Sequence, residues 1–346
     1  MIQYEYKGKP VRFTVEIYHD IVPYLGGISE KAFFVDADAA IPAWQKQIDF
    51  ILTEFGEYLA PRAPSAAPLS YGHLVCLGAP LRRPEDAEPN IAPAASSLED
   101  AVAILRDARG MDFTKTPIFQ AYAEQSRRIH EAFPGSAPRF AGLGLEGPIT
   151  SAALFRGQDF YLDLMDDPEL CAEYLSLMTE SIIAFRHQSN LFSGAPAVSP
   201  SGAGLADDLA SMVPPSLWNE LVIPFWNQYY EGLTSGKNRS LHCEALVPAQ
   251  LPYLSGAAIT HYQPSVSPAL TLQNVKANLP AGMPFDWLLY AYHITEMSDA
   301  QIEAWIDETL AAGVTELRTQ FGRYAAEAGK LDRIHAWFAA ADKYRA

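Results

Sequence analysis

Cysteine is scarce: the chain has 346 residues and three cysteines, Cys76, Cys171 and Cys243, far apart and without a Cys-x-x-Cys pair. That argues against a disulfide scaffold. Basic residues are also few, 25 Lys and Arg against 41 Asp and Glu, for a formal net charge of −16. With no basic stripe to offset this charge, a nucleic-acid backbone is not an expected partner. A strongly anionic substrate would need a local basic pocket. No uninterrupted apolar run reaches membrane-spanning length, and the first five residues are polar where a signal peptide would be apolar. These absences point to a soluble, cytoplasmic protein. They leave the oligomeric state open.

What is present is a globular composition, 49% hydrophobic and 19% charged, ample for a core. Residues 11–18 are β-branched and aromatic and read as a strand ending in His19. Residues 39–59 carry Ile41, Trp44, Ile48, Ile51 and Leu52 at helical spacing. Helices are expected over 98–107 and 115–133, then a strand over 139–145 ending in Glu146. A long helix over 168–192 follows, opened by Pro168. Residues 197–200 are a weak strand candidate. Beyond a helix over 215–233, strands are expected at 239–243, 257–260, 283–287 and 314–318. Ser298-Asp299-Ala300-Gln301 is a capping box opening another helix, which Gly313 ends. Strand and helix alternate from about residue 137 onward without a linker. That implies a parallel sheet, and the length favours a single (β/α)8 barrel over 1–346, with an N-terminal helical extension to about residue 67.

The densest polar cluster is Leu241-His242-Cys243-Glu244. Alternation along a strand sends His242 and Glu244 to one side and Cys243 to the other, toward the core. An imidazole and a carboxylate aimed together at a strand's end suggest a metal site or an acid–base pair. Glu146 completes such a site, binds substrate, or interacts with the following helix. Of Asp207 and Asp208, one is expected at the barrel mouth and the other as a helix cap. His261, one residue past the run 257–259, is the first choice for a third ligand or acid–base group. His19 is a further candidate at the end of the first strand. Tyr262, Phe285 and Trp287 are candidates for an apolar pocket, with Asp286 beside them. Arg318 and Gln320 either contact substrate or form a structural ion pair.

Several blocks together resemble the uroporphyrinogen decarboxylase superfamily: Leu145-Glu146-Gly147-Pro148-Ile149-Thr150, Asp166-Asp167-Pro168, Ala206-Asp207-Asp208, the stretch from Trp218 to Phe225, Leu241-His242-Cys243-Glu244, and Ser298-Asp299-Ala300-Gln301 with the closing Arg333-Ile334-His335-Ala336-Trp337. The resemblance covers roughly residues 68–342. It implies a (β/α)8 barrel acting as a decarboxylase or as a corrinoid-dependent methyltransferase. Decarboxylases of the family hold polycarboxylate substrates with early-loop arginines, yet no arginine occurs here between Arg12 and Arg62. The methyltransferase branch binds zinc through His-x-Cys and a later cysteine. Here Glu244 takes the place of the second ligand, and no cysteine stands near Gly322-Arg323.

The resemblance therefore leads to a methyltransferase in which His242 and Glu244 bind zinc, completed by Glu146 or His261. Such a harder site suits an oxygen-bearing substrate. The enzyme would move a methyl group from a small donor, an O-methylated aromatic being one candidate, to the cobalamin of a separate corrinoid protein. Glu146, Asp207 and His261 are the catalytic candidates. His19, Tyr262, Asp286, Trp287, Arg318 and Gln320 are the substrate-binding ones, with a corrinoid phosphate as another contact for Arg318 and Gln320. A decarboxylase, and a non-catalytic binding protein on the same barrel, are the alternatives.

Overall fold

The computed structural model describes residues 2–264 and 269–346. Nine strands occur among them: β1 (Tyr4–Tyr6), β2 (Lys9–Ile17), β3 (Leu81–Arg82), β4 (Asn90–Ile91), β5 (Gly202–Ala206), β6 (Asn238–His242), β7 (His261–Gln263), β8 (Asp286–Leu289) and β9 (Glu316–Phe321). One sheet has the order β1-β2-β9-β8 and another β5-β6-β7, while β3 and β4 form a small hairpin. Apart from β1 against β2 and the hairpin, the ladders are parallel. The chain is thus mixed α/β.

Isolated contacts extend the two main sheets toward each other. A parallel bridge between Tyr262 and Phe285 joins β7 to the residues entering β8. Gly147 N–H donates to the Ala206 carbonyl at 2.6 Å, and a parallel bridge pairs Leu143 with Leu69. Among the described residues no ladder or bridge runs from Leu69 to β2. There the Arg62 guanidinium reaches the Ile17 carbonyl at 3.1 Å instead. The N-terminal β2 is therefore part of the sheet, hydrogen-bonded along β9 from Arg12–Glu316 to Ile17–Phe321.

Alternation within the strands decides what lies inside. Val11, Val15 and Ile17 of β2, Leu241 of β6, Tyr262 of β7, and Leu317 and Phe321 of β9 are buried in the two apolar cores. Their neighbours of opposite parity, Glu16, Ser240, His242, His261, Gln263, Glu316 and Arg318, are polar. Strands of a parallel sheet buried on both faces usually read as continuous apolar runs. These do not, so one face of the sheet is polar. The opposite face is covered by helices whose ends are chemically marked. Asp167 accepts from Leu170 N–H at 3.0 Å to open Pro168–Ser193, which closes on Gly194 at φ 84°. The Ser298–Gln301 capping box opens Asp299–Ala311 as expected.

Four strands lie further along the chain than the sequence pattern places them. The expected strand at 197–200 is replaced by β5, Gly202–Ala206, whose glycines and alanines have little strand propensity and which owes its form to pairing with β6. Residues 251–257 make a 3-10 helix that ends on Ala258 in the left-handed region, so β7 begins only at His261. Likewise β8 begins at Asp286 and β9 at Glu316. No helix among the described residues is long and apolar enough to cross a membrane.

Candidate active site

At the C-terminal end of β6, His242 Nε2 lies 3.5 Å from Asp208 Oδ1 and 3.7 Å from Glu244 Oε1. Glu244 is anchored: its backbone N–H donates to Asp208 Oδ1 at 2.8 Å, and Tyr290 Oη donates to its Oε1 at 2.7 Å. The next residue, Ala245, sits at φ 59°, a conformation that costs an L residue about 1–2 kcal/mol. Strain of this kind persists where the surroundings enforce it, and it turns the chain immediately after Glu244. Glu146 stands close to Asp207 and Asp208. Burial and those two neighbouring carboxylates push its carboxyl up to about 8, against a lowering hydrogen bond from Ser70. Glu146 is therefore protonated at neutral pH, whereas burial raises Asp208 while His242 opposes the rise.

Below this cluster, Gln263 of β7 is the register partner of His242. Its amide is oriented by Arg318: the oxygen accepts from the guanidinium and the nitrogen donates to His242 Nδ1 at 2.8 Å. In the neutral ring Nδ1 is then an acceptor and the proton resides on Nε2, facing the two carboxylates. Arg318 is itself held by Asp286 Oδ2 at 2.7 Å and by Glu16 Oε2 at 3.1 Å. A polar chain thus runs from β2 and β8 through β9 and β7 to β6.

The other end of that chain lies at the strand starts. His261 opens β7, Asp286 opens β8 and Glu316 opens β9. His261 Nε2 is 2.9 Å from Asp286 Oδ1 and 3.9 Å from Glu316 Oε2. Burial pushes the Asp286 carboxyl up, but His261 and Arg318 beside it prevail and hold it below the ordinary range. Glu316 is pushed up by burial and by Asp286. His242, from the first group, and His261, Asp286 and Glu316, from the second, line one cavity of about 450 Å³, with Arg186 and Tyr229 on its helical side.

The expected site residues divide accordingly. His242, Glu244 and Glu146 gather with Asp208 at the strand ends. Arg318, Asp286 and His261 gather within the sheet, with His261 and Asp286 at the strand starts rather than at the mouth, because the strands begin later than the pattern suggested. Gln320 donates to Tyr18 Oη at 3.2 Å. His19 is apart from both groups, stacked on Phe33 and 2.9 Å from Glu88.

Asp207, expected to be catalytic, is fully buried. It accepts from Ile149 N–H at 3.2 Å, Thr150 N–H at 2.6 Å and Trp226 Nε1 at 2.7 Å. It holds the first turn of the helix Pro148–Arg156, and Gly147 lets it approach, since a Cβ there would lie 2.5 Å from the Asp207 side chain. Tyr262 and Trp287 have the wrong parity for a pocket. Tyr262 is buried and donates to the Cys243 carbonyl at 3.1 Å, and Trp287 packs beside Phe285 against the core. Glu16, Gln263, Glu316 and Tyr290 were not singled out from the sequence. The polar-apolar alternation of Glu316 to Phe321 was the available signal for Glu316.

Zinc bound through His242 and Glu244 does not fit these donors. Cys243 points away, its buried thiol pushed well above the ordinary range and donating to the Asp207 carbonyl at 3.1 Å. A metal at His242 Nε2 would require the proton on Nδ1. Gln263 would then have to turn its oxygen to the ring and its NH₂ toward Arg318, two sets of donors facing each other. Among the described residues, the metal-ligating atoms that cluster mutually within 4.8 Å belong to His261, Asp286 and Glu316.

No family model matches this sequence, and no curated protein matches it either. The fold is similar to that of a methyltransferase from Methanosarcina mazei, with a TM-score of 0.68 and 17% sequence identity, over 96% of this chain and 94% of the other. The likeness establishes a shared fold across nearly the whole chain.

Proposed function

We propose that this protein is a cytoplasmic methyltransferase that takes a methyl group from a small, neutral, oxygen-bearing donor at the C-terminal strand ends. The parallel strands, with residues 69 and 143–147 filling the places between β2 and β5, would close a (β/α)8 barrel around the cavity. The observation that carries the reading is the Glu146, Asp208, His242 and Glu244 group, set in a fold shared with a methyltransferase.

The carboxylates of Asp208 and Glu244 at the mouth disfavour an anionic donor. The arginine lining the sheet, Arg318, is already committed to Asp286 and Glu16, so it is not free to hold a polycarboxylate. That weighs against the decarboxylase alternative. Tyr262 and Trp287 point outward and do not wall the mouth, where the aromatic side chain in contact with the acidic group is Tyr290 on Glu244.

A corrinoid cobalt on a partner protein, implied by the family resemblance, would supply the nucleophile that accepts the methyl group. This chain's own residues would handle the leaving oxygen. Glu146, protonated at pH 7, would donate its proton to that oxygen as the carbon–oxygen bond breaks. The Nε2–H of His242 and the carboxylates of Asp208 and Glu244, separated by more than a direct hydrogen bond, leave room to orient a hydroxyl or water.

Methylcobalamin formation from free cob(I)alamin, followed spectroscopically under anaerobic conditions with a panel of methanol, methyl ethers and methylamines, tests the proposal. A neutral oxygen donor should be used, and Glu146→Gln should lower kcat about 10²- to 10⁴-fold. Absence of transfer from every donor, or full activity in Glu146→Gln, would reject it. Binding of a donor without turnover would instead favour the non-catalytic alternative.

A further inference from the structure

One part of the cavity wall takes no part in that mechanism. Asp286 is 2% exposed, and its Oδ1 has no hydrogen-bond donor among the described residues. His261 Nε2 is 2.9 Å from Oδ1, an ion-pair contact. A buried carboxylate oxygen without a donor is costly, and most such atoms in folded proteins are satisfied. The ligand atoms of His261, Asp286 and Glu316 converge, all within 4.8 Å of one another. The 2.9 Å separation of His261 Nε2 and Asp286 Oδ1 is close to the ~3.0 Å ligand–ligand edge of an octahedral site with bonds of about 2.1 Å. Glu316 Oε2, 3.9 Å from His261 Nε2, supplies a third oxygen on the same side.

We infer that His261, Asp286 and Glu316 bind one divalent transition-metal ion inside the sheet, at the end of the cavity opposite His242. One imidazole and two carboxylates form a hard-to-borderline donor set that suits manganese, ferrous iron or zinc better than a thiophilic ion. The two carboxylates offset the ion's charge. Arg318, fixed on Asp286 Oδ2 at 2.7 Å, leaves Oδ1 for the metal and orients the carboxylate as an outer partner. Three protein ligands facing a cavity leave coordination positions for water or an oxygen-bearing ligand. The site is independent of the proposed methyl transfer: it lies on different residues, and its occupancy is measurable without turnover.

The test uses the full-length protein stripped with chelator, then titrated with Mn²⁺ by electron paramagnetic resonance and with Zn²⁺ by calorimetry. One ion per chain is expected. His261→Ala and Glu316→Gln should each remove that binding, Arg318→Met should weaken it roughly 10- to 100-fold, and His242→Ala should leave it intact. Glu316→Gln keeps the side chain's size, and circular dichroism of each variant separates lost binding from lost folding. No saturable binding to the wild-type chain, or affinity retained in both His261→Ala and Glu316→Gln, overturns the inference. Loss in His242→Ala alone places the ion at the mouth and overturns it equally.

Discussion

Arg318 donates to Asp286 Oδ2 at 2.7 Å, linking β9 to β8 across the polar face of the sheet. Arg318 also touches Glu16 and Gln263, so one guanidinium joins four strands and sets both ends of the cavity.

Arg318→Met should therefore destabilise the fold. It leaves Asp286, almost wholly buried, without its cation, and removing one partner of a buried pair costs about 3–5 kcal/mol. Partial exposure of Arg318 reduces this to roughly 2–3 kcal/mol. Urea unfolding measures the loss. The double variant with Asp286→Asn should recover part of it, because no buried charge is then stranded. Equal losses in the single and double variants would contradict the pairing.

Glu146 makes stability depend on pH. Its carboxyl ionises near its ordinary value of 4.5 when unfolded but only at about 8 in the fold. Its contribution is thus fully present below pH 4.5, is lost progressively as pH rises toward 8, and changes little beyond. At ~1.4 kcal/mol per pKa unit, the loss is on the order of a few kcal/mol. Glu146→Gln should flatten this part of the profile, so that its stability relative to wild type improves between pH 5 and pH 8. Parallel melting-temperature profiles for the two proteins over that range would refute the assignment.

Gln263 should decide the tautomer of His242. Long-range ¹H–¹⁵N correlation spectra are expected to show Nε2 protonated in the neutral ring of the wild type. Gln263→Leu removes the amide that donates to Nδ1 and should shift the ring toward a mixture. A wild-type spectrum with the proton on Nδ1 would instead make His242 Nε2 available as a ligand and reopen the zinc reading.

Much of this site was legible in the sequence. His242 and Glu244 were paired by alternation alone, and Cys243 was sent to the core by the same rule. Glu146 was proposed because it precedes Gly-Pro at an expected strand end, whereas of the pair Asp207-Asp208 the sequence favoured Asp207 and it is Asp208 that stands beside His242. His261, Asp286 and Arg318 were proposed as site residues, and His261 was expected at the mouth, whereas His261 and Asp286 open their strands. The signal for a strand is its apolar content. Apolar residues 257–259 and 283–285 lie in the approach to β7 and β8, so the pattern put both strands too early. A shift of a few residues along a strand of 3.3 Å per residue carries a side chain from one end of the sheet to the other.

The sequence by itself determined the alternation of strand and helix, the helix caps at Asp167 and Ser298, and the opposite facing of His242 and Cys243, because these follow from local periodicity and backbone hydrogen bonding. Tertiary structure alone decided where the strands begin, that Gly202–Ala206 is a strand at all, and that Asp207 serves a helix rather than the mouth. It also brought Glu16, Gln263, Asp286 and Arg318 into one chain, though Glu16 and Arg318 are 302 positions apart. Those outcomes depend on the register between neighbouring strands, which pairs residues far apart in the chain and is set by the packing of the whole sheet beneath its helices.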